Sequence, residues 1–169
     1  MGWKGRVAIL WLAVFLIFII RLLWAGPPAV FKDGLFYPVY FASHSGESLI
    51  PEFRKGQGSI DRLLGDLKDG PRLKGFVPIL PPEVEILGYE QRGDLLLVDF
   101  SQELISNHPG GSRGELMTVY GIVNTLVGVS GVERVQILVE GQSVNTLVGH
   151  LNLSKPFKKD YTLLGSSFI

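Results

Sequence analysis

Residues 84–101, VEILGYEQRGDLLLVDFS, decide the fold of this chain. They contain two runs rich in strand-forming residues, 84–91 and 94–101, which meet at Arg92 and Gly93 and predict a β-hairpin. Side chains alternate along a strand, and the second run carries apolar residues on both sides: Leu96, Val98 and Phe100 on one, Leu95 and Leu97 on the other. Such a strand is typical of the middle of a sheet, covered on both faces or on one face by a partner.

An amphipathic helix is predicted before the hairpin, over residues 59–69. Ser59 is suited to cap its N-terminus, and apolar residues follow at helical spacing: Ile60, Leu63, Leu64 and Leu67. This spacing places them on one face of the helix. Gly70 and Pro71 then end the helix, because glycine accepts a left-handed backbone and proline cannot continue the turn.

A second helix is predicted after the hairpin. It begins at Ser112, since Ser112 and Glu115 have the spacing of a capping box, and it ends at Gly128. Its core stripe consists of Leu116, Val119, Tyr120, Val123, Leu126 and Val127.

Two further strands complete the predicted sheet. Residues 35–42 are aromatic and read as an edge strand, because Pro38 cannot donate a hydrogen bond to a neighbour. Residues 134–140 alternate as a half-buried strand does. Residues 43–58 read mostly as loop, with a short strand over residues 49–53 as an alternative. The order β-α-β-β-α-β predicts an α+β fold, with a single mixed β-sheet backed by two helices on one face.

The first 25 residues differ from the rest of the chain. Lys4 and Arg6 lie in residues 1–6, and residues 7–25 are almost wholly apolar. A helix over 7–25 is about 28 Å long, close to the thickness of the hydrocarbon core of a bilayer. We therefore predict a single transmembrane anchor with a cytoplasmic N-terminus and the remaining chain outside the cell membrane.

A signal peptide is the alternative for the same segment. The apolar run of residues 7–20, ahead of Arg21, has the length of a signal-peptide core. Small residues at alternate positions would mark a cleavage site, and residues 23–25 offer only Ala25. An uncleaved anchor followed by a linker over residues 26–34 is the favoured interpretation.

Composition excludes several classes of function. The chain carries 16 basic and 16 acidic residues, so no net charge favours nucleic acid as a partner. It has no cysteine, which excludes disulfides, thiolate metal sites, catalytic thiols and lipidated cysteine.

No catalytic, cofactor or metal motif is evident in the sequence. The histidines are His44, His108 and His150, and no G-x-S-x-G elbow accompanies them. Residues 109–112, PGGS, precede a helix but lack the lysine of a phosphate-binding loop. Asp99 is expected to accept backbone hydrogen bonds from a neighbouring loop. We predict no enzyme activity and no cofactor.

The hexapeptide VNTLVG occurs twice, at residues 123–128 and 144–149. The similarity does not extend beyond six residues, whereas structural repeats are longer and need several units to bury a core. The first copy continues a helical stripe and the second follows a turn. We interpret the two copies as one string in two structural settings.

Seven short segments resemble those of a known family. In order, they are FYPVYF (36–41), LKDGP (67–71), LPP (80–82), VDFS (98–101), NTL (124–126), VERVQILVEG (132–141) and GHLNLS (149–154). Their order and spacing over residues 36–156 resemble the GerMN domain family of sporulation and spore germination proteins. We expect structural roles for nine family-motif residues: Gly70, Pro71, Asp99, Phe100, Ser101, Thr125, Gly141, Gly149 and His150.

The resemblance implies a membrane-tethered domain of endospore-forming or related Gram-positive bacteria, with a fold similar to ring-building modules of secretion systems. It implies envelope or sporulation-channel proteins as partners, with self-association as a further expectation, and no catalysis. The GerM proteins of this family carry two such domains and a lipobox cysteine, whereas this chain carries one domain and no cysteine.

These observations predict a membrane-anchored interaction or assembly domain over residues 35–156, followed by a tail over residues 157–169. One alternative is a module that binds peptidoglycan-derived ligands of the cell wall, motivated by the aromatic residues 36–41 and the loop of residues 43–58. The other is a hydrolase that uses Asp99 or His150.

Overall fold

The hairpin of residues 84–101 is present in the computed structural model, which describes residues 36–165. The elements in this part of the chain are β1 Phe36–Ser43, β2 Leu49–Lys55, α1 Ile60–Asp69, β3 Phe76–Val77, β4 Ile86–Arg92, β5 Leu95–Phe100, α2 Glu103–Ser106, α3 Ser112–Leu126, β6 Arg134–Val139 and β7 Gln142–Ser143. The predicted anchor and linker lie outside the described residues. Among residues 36–165, no helix is both long enough and apolar enough to cross a bilayer.

The prediction that the second hairpin strand lies in the middle of a sheet is confirmed. β5 pairs antiparallel with β4 and parallel with β6, in a sheet of order β4-β5-β6-β7. The register aligns Leu96, Val98 and Phe100 with three buried residues of β6, so that one face of the sheet is part of the core. The opposite face, which carries Leu95 and Leu97, is only half-buried.

The prediction of a single sheet is wrong, because the described residues form two sheets. The first has the order β2-β1-β3, and the second is the mixed sheet around β5. Strand β2 pairs with β1 along its whole length, from Leu49 to Lys55. The alternative of a short strand over residues 49–53 is thus confirmed, and the strand continues to Lys55, with the charged Glu52 and Arg54 buried in it. The α+β class with a mixed sheet is nevertheless confirmed.

The prediction of β1 as an edge strand is also wrong, since β1 lies between β2 and β3. Pro38 is tolerated because β3 reaches only Ala42 and Ser43. The backbone N–H of Tyr40 donates to Thr125 Oγ1 at 3.0 Å. This N–H group therefore points away from β2. Two residues earlier in the same strand, the nitrogen of Pro38 faces the same unpaired side.

Helix α3 joins the two sheets. Helix α3 packs against β1 and β6, and α1 packs against β1 and α3, so the helices do not back one face of a single sheet. Helix α1 has the predicted N-cap, because Ser59 accepts a hydrogen bond from the Arg62 N–H. The predicted capping box of α3 is wrong: its N-cap is Gly111, with no side-chain hydrogen bond.

A glycine in the middle of α3 permits a close contact with the segment before β4. A Cβ atom added at Gly121 would lie 2.5 Å from Cδ1 and 3.1 Å from Cγ2 of Ile79. Gly65 of α1 provides a matched comparison, because a Cβ atom there meets nothing within 4 Å.

We expect Gly121→Ala and Gly65→Ala to have opposite effects on the free energy of unfolding. Both variants gain about 0.5–1 kcal/mol from helix propensity. In Gly121→Ala, overpacking against Ile79 costs about 1–3 kcal/mol and outweighs this gain, whereas Gly65→Ala has no such cost. Chemical denaturation measures both. Ile79→Val is expected to recover part of the loss in a double variant, and equal stabilisation by the two alanines would refute the steric explanation.

Candidate functional site

A buried carboxylate, that of Glu115, organises the loop after β7. Its Oε1 accepts hydrogen bonds from the Thr146 hydroxyl at 2.6 Å and from the Leu147 and Val148 N–H groups at 2.7 and 3.2 Å. Its Oε2 accepts from the N–H groups of two further residues, His150 at 2.9 Å and Leu151 at 3.0 Å. Glu115 therefore holds this loop rather than its own helix N-terminus.

The hydrogen bonds decide the ionisation of Glu115. Burial alone would raise the pKa of this carboxyl, but the donors from Thr146, Leu147, Val148 and His150 hold the pKa below its usual value. A carboxylate that accepts several N–H bonds is stabilised in its charged form. Nearby, burial lowers the pKa of His108, an effect that the charge of Glu115 opposes.

The loop held by Glu115 contains the second VNTLVG copy and two family-motif residues. Gly149 has a positive φ of 99° and donates its N–H to Thr146 Oγ1. His150 is bound to Glu115 through its backbone N–H, and its side chain is exposed. The conformation of the loop at Gly149 and His150 therefore depends on a carboxylate of α3.

The first VNTLVG copy lies in α3 and makes different contacts. Asn124 exchanges two hydrogen bonds with the backbone of Asp160, at 2.9 and 3.0 Å. Thr125 accepts from Tyr40 and donates to the carbonyl of Gly121. The two copies therefore differ in structure, as the sequence predicts: the first lies mostly in a helix and the second lies in a loop.

A second buried charge cluster joins β2, α1 and the loop after α1. The Arg54 guanidinium contacts Glu52 Oε1 at 2.9 Å and Asp66 Oδ1 at 2.5 Å, and it donates to the Gly70 carbonyl at 2.7 Å. Tyr37 donates its hydroxyl to Asp66 Oδ2 at 2.6 Å. All the charged groups of this cluster are more than nine-tenths buried.

Glu52 also fixes the loop that follows the Gly70-Pro71 motif. Its Oε2 accepts the N–H groups of Arg72 and Leu73 at 2.8 and 3.0 Å. Burial would raise the pKa of Glu52, but these donors and Arg54 hold the pKa below its usual value. Sequence reasoning missed this cluster. The alternation of Glu52 and Arg54 across an intervening Phe53 was the signal for a strand with paired charges.

The VDFS motif supports the mixed sheet. Asp99 Oδ1 accepts the N–H of Gly141 at 2.8 Å, and Phe100 is fully buried. Ser101 exchanges hydrogen bonds with the backbone of Glu85, through its own backbone N–H and its side-chain oxygen. The structure thus brings Asp99 and Gly141 together, while the other motif residues remain distributed over the domain.

The described histidines form no metal-binding group. Within residues 36–165, no three His, Cys, Asp or Glu side chains are placed to hold a metal ion. His108 Nε2 is 3.1 Å from Thr118 Oγ1, and its Nδ1 accepts the N–H of Gly110 at 3.0 Å. This histidine therefore orders the loop that leads into α3.

A groove of about 540 Å³ lies beside the start of α3. Its walls are the β1–β2 turn, the proline-rich segment of residues 77–82 and the first turns of α3, including Met117. Arg113 crosses to the turn, where it contacts the carboxylate and carbonyl of Glu47. The groove has the size of a small-molecule site.

The edges of the two sheets differ in how they are closed. At β2, Leu49 pairs with residues Leu163 and Gly165. Pro51 follows, opposite Tyr40 in the register, and its nitrogen points away from β1 without a hydrogen to donate. This edge is therefore blocked to a further strand.

Strand β4 is the long open edge of the mixed sheet, whose other edge is the two-residue β7. It has seven residues and no proline, and among the described residues it pairs only with β5. Leu87 and Tyr89 are 50% and 41% exposed along it. A bulge lies between Ile86 and Gly88. An exposed edge with apolar side chains is a surface on which another strand can pair.

Comparisons with known proteins agree with the order of the motifs. The sequence model of the Germane family, described as sporulation and spore germination, matches residues 38–145. A comparison with curated proteins found no match.

Solved structures show the same fold. A candidate lipoprotein from Clostridium perfringens is 24% identical over 79% of this chain and 93% of its own, with a TM-score of 0.52. The first GerMN domain of the sporulation protein GerM from Bacillus subtilis is 18% identical over 78% of this chain and 98% of its own, with a TM-score of 0.58.

The tandem GerMN domains of GerM from Bacillus subtilis give a TM-score of 0.60 at 18% identity. The match covers 83% of this chain and 51% of the tandem, so this chain spans about half the length of that protein. The family match and the fold together confirm the resemblance seen in the motifs, and the chain belongs to the Germane family of sporulation and spore germination domains.

Proposed function

We propose that this chain is a membrane-anchored extracytoplasmic protein whose domain binds other envelope proteins through the open edge of β4. The family assignment supports a role in sporulation or germination. The apolar residues 7–25 support a membrane anchor, and the similar protein from Clostridium perfringens is described as a candidate lipoprotein.

The observation that carries this proposal is the contrast between the sheet edges. β2 is closed by the segment around Leu163 and by Pro51, whereas β4 presents seven residues with Leu87 half-exposed. A strand from a partner gains main-chain hydrogen bonds at such an edge. The role is binding rather than catalysis, since the polar family-motif residues Asp99, Ser101 and Thr125 hold backbone groups.

Leu87→Lys tests the edge, because a lysine on an edge strand opposes pairing with another chain. Leu73→Lys is the matched control, since Leu73 is 55% exposed in a loop. In cells lacking the wild-type gene, we expect Leu73→Lys to restore spore formation and germination, scored separately, and Leu87→Lys to fail. Crosslinking to named envelope proteins should be lost only in Leu87→Lys.

Equal complementation by the two lysine variants would refute docking at β4.

The groove of about 540 Å³ supports the second candidate, a module that binds peptidoglycan-derived ligands. Retention of both variants on purified cell wall, together with equal complementation, would favour that candidate.

A further inference from the structure

The open edge of β4 carries two charges of opposite sign on one face. Side chains alternate along a strand, and the register places Glu90 and Arg92 opposite two leucines of β5. The Arg92 guanidinium donates to both carboxylate oxygens of Glu90 at 2.7 Å, and both side chains are mostly exposed. This face of the edge therefore presents one anion and one cation that are two residues apart.

The turn of the hairpin determines which backbone groups of β4 face outward. Two residues separate β4 from β5, and Arg92 lies opposite Leu95. The residues that flank a two-residue turn form a hydrogen-bonded pair, and such pairs alternate with non-hydrogen-bonded pairs along the strands. The backbone N–H and C=O groups of Gln91 and Tyr89 therefore point away from β5, toward the position of an added strand.

A second, antiparallel copy of β4 matches this arrangement. A twofold axis beside Gln91 pairs the backbone of Gln91 in one copy with that of Gln91 in the other, and its neighbours pair in reverse order. Glu90 of each copy then lies directly opposite Arg92 of the other copy. The two ion pairs within the strands and the two across the axis form a square of four charges of alternating sign. Opposite charges in cross-strand positions stabilise a sheet.

The two registers that shift the axis toward the start of β4 lack this complementarity. An axis beside Glu90 would place the two Glu90 carboxylates directly opposite each other, and like charges in that position are destabilising. An axis beside Tyr89 would place Glu90 opposite Gly88, which has no side chain. The charge pattern of the edge therefore favours the axis beside Gln91.

We propose that two copies of this chain pair reversibly through β4, in the register centred on Gln91. This inference rests on the open edge used in the proposed function and deepens it, because self-pairing masks that edge from a strand of another protein. The contact involves few residues, and small interfaces are typical of weak, transient complexes. The availability of the edge to an envelope protein therefore decreases as the local concentration of the chain rises.

The absence of cysteine allows a disulfide to report the register in the full chain. Residues on the axis have Cα atoms about 5.5 Å apart in a hydrogen-bonded pair, a distance that suits a disulfide. With copper phenanthroline as the oxidant, we expect Gln91→Cys in mild detergent to form disulfide-linked dimers. Tyr89→Cys is the matched control and should remain monomeric, since its two copies lie on opposite sides of the axis, about 14 Å apart.

Two charge reversals test the ion pairs in the Gln91→Cys background. Glu90→Arg and Arg92→Glu each place like charges opposite each other, and each should lower the rate of disulfide formation by about tenfold. An equimolar mixture of the two variants restores opposite charges across the axis. The mixture should therefore regain the rate of Gln91→Cys alone, through dimers that contain one copy of each variant.

Disulfide formation that is equal at positions 89 and 91, that ignores the charge reversals, or that the mixture does not restore would overturn the inference. Its absence from Gln91→Cys would do the same, and docking of an envelope protein at β4 would stand. Failure of the proposed function appears separately, as equal complementation by Leu87→Lys and Leu73→Lys. In that case a charge-dependent disulfide at position 91 would still support self-pairing.

Discussion

Replacing Glu115 by alanine is expected to lower the free energy of unfolding by about 3–5 kcal/mol. Four backbone N–H groups and the Thr146 hydroxyl lose their shared acceptor. Buried donors without an acceptor cost about 1–3 kcal/mol each. The total is smaller than the sum, because some of these donors will bind water once the loop relaxes. Chemical denaturation of the full chain in mild detergent measures the loss.

Glu133→Ala is the control for this prediction, because Glu133 is exposed near β6 and should change stability by less than about 0.5 kcal/mol. Hydrogen exchange localises the effect. The amides of Leu147 and Leu151 should exchange faster in Glu115→Ala, whereas those of β1 should change only with global stability. Unchanged protection at both loop amides would contradict the role given to Glu115.

The pH dependence of stability follows from the lowered pKa of Glu115. The folded pKa lies below the ordinary value of 4.5, so the stabilisation is fully present above about pH 4.5. It is lost as the pH falls through the lower folded pKa. Glu115→Gln cannot titrate and should remove this part of the acid dependence, even though it destabilises the domain at neutral pH.

Replacing Arg54 by methionine is expected to have the second large effect on stability. We expect the free energy of unfolding to fall by about 3–5 kcal/mol, because Glu52 remains buried without a cation and Asp66 keeps only the exposed Arg72, at 3.3 Å from its Oδ1. The carbonyl of Gly70 also loses its donor. Denaturation under the conditions used for Glu115→Ala gives a direct comparison.

Arg92→Met is the matched control, since Arg92 pairs with Glu90 on the surface and exposed pairs contribute about 0–1 kcal/mol. A variant that combines Arg54→Met with Glu52→Gln and Asp66→Asn should recover part of the loss, because it removes the buried charges. Equal stability of Arg54→Met and Arg92→Met would show that the buried charge cluster does not stabilise the domain.

The local patterns predicted the local elements well. The α1 stripe with its Ser59 cap, and the hairpin turn at Gly93, depend on residues close together in sequence. Strand β2 was predicted only as an alternative, over residues 49–53, because Glu52 and Arg54 look like surface residues, although each is buried with a partner of opposite charge. The split into two sheets depends on long-range pairing, for which no local spacing provides a rule.

The candidate site was predictable in part. The order of motifs identified the family, and Asp99 was expected to accept a backbone hydrogen bond, as it does from Gly141. The partner of Glu115 was not predictable, since a carboxylate three residues after Ser112 fits a local cap equally well. Its true donors are 31 to 36 residues away in sequence, and only the tertiary structure brings them together.

The difference between the two sheet edges limits how copies of this chain can associate through strands. Among the described residues, β2 is blocked, β4 is open, and the other two sheet edges, β3 and β7, have only two residues each. Pairing through a long strand therefore gives each molecule a valence of one. Two copies that pair β4 with β4 form a closed twofold dimer, because neither retains an open edge for a third. A partner protein at β4 would compete with that dimer. Pro51 and the chain segment beside Leu49 therefore oppose growth into a continuous intermolecular sheet, the route to fibres, through β2.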